Sequence, residues 1–120
     1  MPLHPGAAAD GPIDLDHLRK MTLSDPALER EVLQLFVEQS GQLMLTLASL
    51  PENAAALAHT LKGSARAIGA FRVAEAAAVL EAALRMADGA GEAFAQLDAE
   101  VGQAHQAMTV LLAQSGSRTG

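Results

Sequence analysis

Residues 52–87 read ENAAALAHTLKGSARAIGAFRVAEAAAVLEAALRMA, and the fold class follows from them. Leu57, Leu61, Ser64 and Ile68 recur at helical spacing, then Gly69 and Ala70 interrupt the run. Val73, Ala76, Leu80, Leu84 and Ala87 take up the same period on the other side, so the stretch is two helices joined by a tight turn. Gly69 is the natural end of the first, since glycine accepts the left-handed conformation that closes a helix. The rest of the chain has the same character. Half of its 120 residues are hydrophobic, yet 26 are Ala, 18 are Leu and only three are aromatic, all Phe. Small and straight-chain residues lose little rotamer freedom in a helix, so this composition predicts an all-α protein and excludes an all-β one. The absence of Cys excludes disulfide scaffolds, Cys-based zinc sites and thiol catalysis.

Working outward, Ser24-Asp25-Pro26 opens a helix of about 23 residues, with Leu28, Val32, Leu35, Gln39, Leu43 and Leu50 in helical register. Ser49-Leu50-Pro51-Glu52 has the form of a capping box and starts the helix that ends at Ile68. Phe71 to Ala87 forms the next helix, and Asp88-Gly89-Ala90-Gly91 breaks it. Glu92 to Ala113 makes the last, with Phe94, Leu97, Val101, Ala104, Met108 and Leu111 on one face. A short helix from Ile13 to Lys20 precedes them all. Tight connections between helices of this length predict an antiparallel up-and-down four-helix bundle with a short additional N-terminal helix. Residues 1–12 read as a flexible leader, 13–114 as the domain and 115–120 as a flexible tail.

One helix breaks its own pattern. With Leu57 at zero on a wheel of 100° per residue, Leu61, Ser64 and Ile68 define a buried stripe. His59 falls at about 200°, on the opposite side, with Arg66 and Ala55 along the same line and Lys62 and Gly63 flanking it. A lone surface His is ordinarily just solvated, but its neighbours are unusual. Gly inside a helix costs roughly 1 kcal/mol relative to Ala, and this chain uses Ala almost everywhere. Gly63, with Ala55 and Ala56, leaves room for another molecule to approach the imidazole, and Lys62 and Arg66 supply positive charge for an anion there. Residues 59–86 hold four basic and two acidic side chains, whereas the remainder holds four basic and twelve acidic, within a net charge of −6. On the facing helix Glu81 lies about as far beyond the turn as His59 lies before it, so the two are expected at similar heights. A carboxylate there could accept from the imidazole Nδ1–H and leave Nε2 free as a nucleophile. The spacing fits a solvated surface Glu equally well.

The string His59-Thr60-Leu61-Lys62-Gly63-Ser64-Ala65, followed by Ile68-Gly69-Ala70, closely resembles the signature of the histidine-phosphotransfer (Hpt) domain family, and the likeness in pattern extends over about 100 residues. The resemblance implies a phosphorelay intermediate. His59 would accept a phosphoryl group on Nε2 from a receiver-domain aspartyl phosphate, or from a hybrid histidine kinase through such a receiver, and pass it to another receiver. Lys62 matches the family's phosphate-stabilising Lys, and Gly63 the small residue that admits the receiver. Ser64 matches the pattern's hydroxyl and, facing inward on the wheel, is taken as structural. Glu81 resembles the carboxylate or amide that orients the imidazole in some members, with Arg85 a turn later as a partner contact. Ala55, Ala56 and Arg66 complete the expected docking face.

No cofactor is expected in this chain, because the Mg²⁺ and most of the transfer machinery would belong to the receiver. Neither a phosphate-binding G-x-x-x-x-G-K-[ST] string nor a kinase-like glycine loop occurs, so the chain is expected to be a phosphocarrier without kinase activity. His4 is expected to be inert, His17 to pack or cap the first helix, and His105 to pack in the last. No His pair has ligand spacing, so no metal site is expected. An acidic chain is a poor nucleic-acid binder, and no apolar run approaches the ~20 residues of a membrane span. A monomer in the cytoplasm is therefore expected. Two alternatives stay open at this point. One is a helical adaptor that binds a receiver or kinase without phosphotransfer. The other is a module of a larger hybrid kinase, against which stand the Met1 start and tail-like end.

Overall fold

The computed structural model of the protein describes residues 11–119, with side chains through Gln114. Five helices and no strand occur among the described residues: α1 (Leu15–Met21), α2 (Pro26–Leu47), α3 (Ala54–Ile68), α4 (Phe71–Met86) and α5 (Ala90–Thr119). Helices α2 to α5 each pack on their neighbours in sequence, and α5 returns against α2, closing a four-helix bundle. The pairing of α2 with α5 is antiparallel. Near one end Arg30 donates to the Leu112 carbonyl at 3.1 Å, and ten residues further along α2 the Ser40 hydroxyl meets His105 Nε2 at 2.6 Å. Ser40 lies buried and also donates to the Phe36 carbonyl, and burial pushes His105 below its ordinary value. His105 is thus half-buried between two helices.

The most extensive pairing is α3 with α4, and both helices bury alanines. Ala54, Ala58 and Ala65 on α3, Ala70 in the turn, and Ala74, Ala76 and Ala77 on α4 are all buried. Such short side chains let two backbones approach where Leu would hold them apart. The buried stripe of α3 is Ala54, Ala58, Leu61, Ala65 and Ile68, rotated by about 60° from one centred on Leu57. Leu57 and Ser64 are consequently half-buried on its edge. A similar correction applies to α2. Its buried residues are Leu33, Phe36, Ser40, Met44 and Leu47, while Leu28 and Leu35, expected in the stripe, face solvent.

The helix ends agree with expectation in one place and differ in two. Helix α2 starts where the Ser24-Asp25-Pro26 string places it, with Asp25 as the cap, accepting from the Ala27 and Leu28 amides. The expected capping box at Ser49 does not form. Its hydroxyl donates to the Thr46 carbonyl at the end of α2, Leu50 takes a positive φ of 47°, and α3 starts at Ala54 after Asn53. Helix α5 continues past Ala113 to Thr119, so its backbone runs through the expected tail. Residues 1–10 of the expected leader lie outside the described residues, as does Gly120.

The α3–α4 turn is also where α1 docks. Gly69 has φ +91°, and a Cβ there would stand 2.9 Å from the Asp14 carbonyl oxygen and 3.2 Å from His17 Cβ. The Asp14 amide donates to the Gly69 carbonyl at 2.9 Å. His17 Nε2 lies 3.1 Å from the Ala67 carbonyl, and its ring stands edge-on to Phe71 with centroids 5.1 Å apart. His17 therefore ties α1 to the turn. Gly69→Ala should destabilise the fold by about 2–3 kcal/mol, from left-handed strain plus the contact with Asp14. Urea denaturation followed by circular dichroism measures it, and an unchanged midpoint would contradict this account of the turn.

Candidate functional site

His59 stands on the outer face of α3, midway along it, with its side chain 63% exposed. From the adjacent helix α4, Glu81 reaches the gap between the two. The alanine seam brings the helices close enough for its carboxylate to span them. It is 12% exposed and makes contacts with three other side chains. Lys62 Nζ donates to Oε1 at 2.9 Å. Arg85 donates to Oε2 through one terminal nitrogen at 2.9 Å and through Nε at 3.3 Å. His59 Nδ1 lies 3.1 Å from Oε2 and 3.3 Å from Oε1.

The electrostatics fix who donates. Hydrogen bonds from Lys62 and then Arg85 hold the Glu81 carboxyl down to about 2, against partial burial that pushes the other way, with His59 and the charge of Lys62 adding to the depression. An ionised carboxylate has no proton to give, so the proton of the His59–Glu81 bond sits on Nδ1. In the neutral ring Nε2 then carries the lone pair.

The structure thus brings four of the residues singled out in the sequence, His59, Lys62, Glu81 and Arg85, into one hydrogen-bonded cluster. Lys62 differs from expectation in one respect. Its ammonium turns inward to Glu81 and its side chain is 19% exposed, because at about 80° from the true centre of the stripe it lies on the α4-facing edge. Ala56, Gly63 and Arg66 are exposed around His59, and Ala55 is half-buried. A Cβ on Gly63 would meet nothing within 4 Å, so no contact within the fold requires glycine there. Ser64 faces a groove between α2 and α3 of about 650 Å³, lined also by Leu35, Gln39, Gln42, Leu43 and Thr60. Sequence periodicity misses that groove because it assigns Leu35 to the core. Among the described residues no group of three or more His, Asp or Glu could hold a metal ion, and no helix is long and apolar enough to cross a membrane.

With this geometry in hand, comparison with known proteins identifies the class. The family model described as the Hpt domain matches residues 31–107, a span that runs from the first turns of α2 into α5 and contains the whole His59 cluster. The chain belongs to the Hpt domain family, whose members are phosphocarrier modules of phosphorelays that interact with receiver domains and kinases. No curated protein matches the chain, and no solved structure does.

The depressed carboxyl gives a pH signature. Glu81 titrates lower in the folded chain than its ordinary 4.5, so its ionised form stabilises the fold fully above that value, and the contribution is lost as pH falls toward about 2. The difference in urea midpoint between the natural protein and Glu81→Gln should shrink as pH falls from 4.5 toward about 2. A difference that stays flat or widens would contradict the cluster.

Proposed function

We propose that the protein relays phosphoryl groups through Nε2 of His59, accepting from the aspartyl phosphate of a receiver domain and donating to another. The observation that carries this reading is the Nδ1–Glu81 hydrogen bond on an otherwise exposed ring, which directs the lone pair outward. The Nε2 pair attacks phosphorus, the acyl-phosphate P–O bond breaks, and the receiver carboxylate leaves with the electron pair. No proton needs to move. Nδ1 keeps its hydrogen, and the positive charge that develops on the ring faces the Glu81 carboxylate, where it is stabilised as it forms. Donation is the same step reversed.

Lys62 orients Glu81 and adds positive charge one turn from the ring, favouring the incoming anion. Ala55, Ala56 and Gly63 form the flat ground on which a receiver docks, with Arg66 and Arg85 at its rim to steer an acidic partner. An adaptor that only bound a receiver would have no use for a carboxylate poised on Nδ1. The protein on this reading is a carrier and not a kinase. The Mg²⁺ of transfer belongs to the receiver, and the partners are receivers and a hybrid histidine kinase. It acts as a monomer in the cytoplasm.

His59→Gln should keep the helical circular dichroism spectrum and lose acid-labile labelling from a phosphorylated receiver. Labelling that survived would refute the assignment. Gly63→Leu separates access from folding. Its side chain enters open space and improves helix propensity, so stability should rise by about 0.5–1 kcal/mol while transfer falls at least tenfold. Transfer at the natural rate would remove the docking role of the glycine.

A further inference from the structure

The two cations on Glu81 are not equivalent. Lys62 holds Oε1 from a largely enclosed position, whereas Arg85 is 61% exposed and holds Oε2, the oxygen closer to His59 Nδ1. Arg85 and the imidazole therefore divide one acceptor. The guanidinium end of this i,i+4 pair stands in solvent, where ion pairs exchange readily, so Arg85 can leave Oε2 for a more highly charged acceptor. A phosphoryl group on Nε2 changes what attracts it. That group brings about −1.5 to −2 charges to a ring whose other nitrogen already faces a carboxylate. The ring's own positive charge offsets only part of that, and the fork of a guanidinium suits phosphoryl oxygens. Among the other basic residues, Lys62 is turned inward onto Oε1 and largely enclosed. Arg66 lies seven residues from His59, roughly 10 Å along the helix, and Arg72 is paired with Glu100 of α5.

We propose that Arg85 is an exchangeable cation, resting on Glu81 Oε2 while His59 is unmodified and moving to the phosphoryl oxygens once Nε2 carries the group. The inference rests on His59 being the phosphoacceptor. The move has two effects. It neutralises charge on the group to be transferred, and it releases Oε2 to accept from Nδ1–H alone when the ring bears its positive charge. Lys62 stays on Oε1 throughout and keeps Glu81 in place.

The test loads the full chain with potassium phosphoramidate, which transfers its phosphoryl group to imidazole nitrogen as its own P–N bond breaks and ammonia leaves. The ¹⁵N–¹H signal of Arg85 Nε should shift on loading and return as the phosphohistidine hydrolyses. The ³¹P signal that depends on His59 should shift in Arg85→Gln and stay in place in Arg66→Gln. A His59-dependent ³¹P signal with Arg85 unmoved and Arg85→Gln indistinguishable overturns the exchange and leaves the acceptor assignment standing. Absence of any ³¹P signal that His59→Gln removes overturns the assignment and the exchange together.

Discussion

Everything at the site depends on how near α3 comes to α4. The Glu81 carboxylate must touch Lys62 and His59 from a neighbouring helix, and at 2.9 and 3.1 Å it does so only because alanines fill the seam. Ala58 and Ala65 of α3 and Ala74 and Ala77 of α4 are buried there, one methyl deep each. A Leu at any of these positions would force the helices apart or leave its neighbours strained, since cores tolerate added methylenes poorly. The alanine excess that first looks like mere helix propensity is thus what sets the distance between the His59 imidazole and the Glu81 carboxylate. Packing comes first, and the electrostatics of Glu81 follow from it.

Some of this was legible in the sequence and some was not, for definable reasons. The equal heights of His59 and Glu81 follow from counting residues on either side of Gly69, because a glycine C-cap places a turn to within a residue and helix rise is constant. The rotation of α3 was not legible. A wheel weights Leu57 over Ala58, yet against another alanine-rich helix the small residue goes to the centre and the large one to the rim. The same bias hid the exposure of Leu35 and the inward turn of Lys62. Burial of Glu81 could not be read either. A charged residue on the flank of a stripe is ordinarily solvated, and only the convergence of cations from two helices makes its burial tolerable. The Ser49–Glu52 pattern failed because the Ser hydroxyl found the end of the preceding helix first.

Charge is distributed to match. The basic side chains of residues 59–86 sit on an otherwise acidic molecule, but not all of them are available to a partner. Lys62 is engaged by Glu81 and Arg72 by Glu100. Arg66 and Arg85 carry the exposed charge around His59. A field of that size attracts an acidic surface without holding it tightly, and its effect is screened within about 8–10 Å at physiological salt. On the proposed function, a carrier that releases each partner in turn is served by attraction of that strength.

Two glycines show how fold and function can be told apart within one helical hairpin. Gly69 is required by the backbone: its φ is +91°, and a Cβ would collide with α1. Gly63 is helical, lies one turn beyond His59 and has open space where its Cβ would be. Alanine there would satisfy every contact within the chain and stabilise the helix by up to about 1 kcal/mol. A residue that folding would replace, in a chain that places alanine at nearly every comparable position, needs an explanation outside the fold. Close approach of another molecule to the imidazole supplies one, and it accounts for the exposed Ala56 at the same time. On the proposed relay the exposed ring, the buried carboxylate behind it and the open space beside it share a single cause.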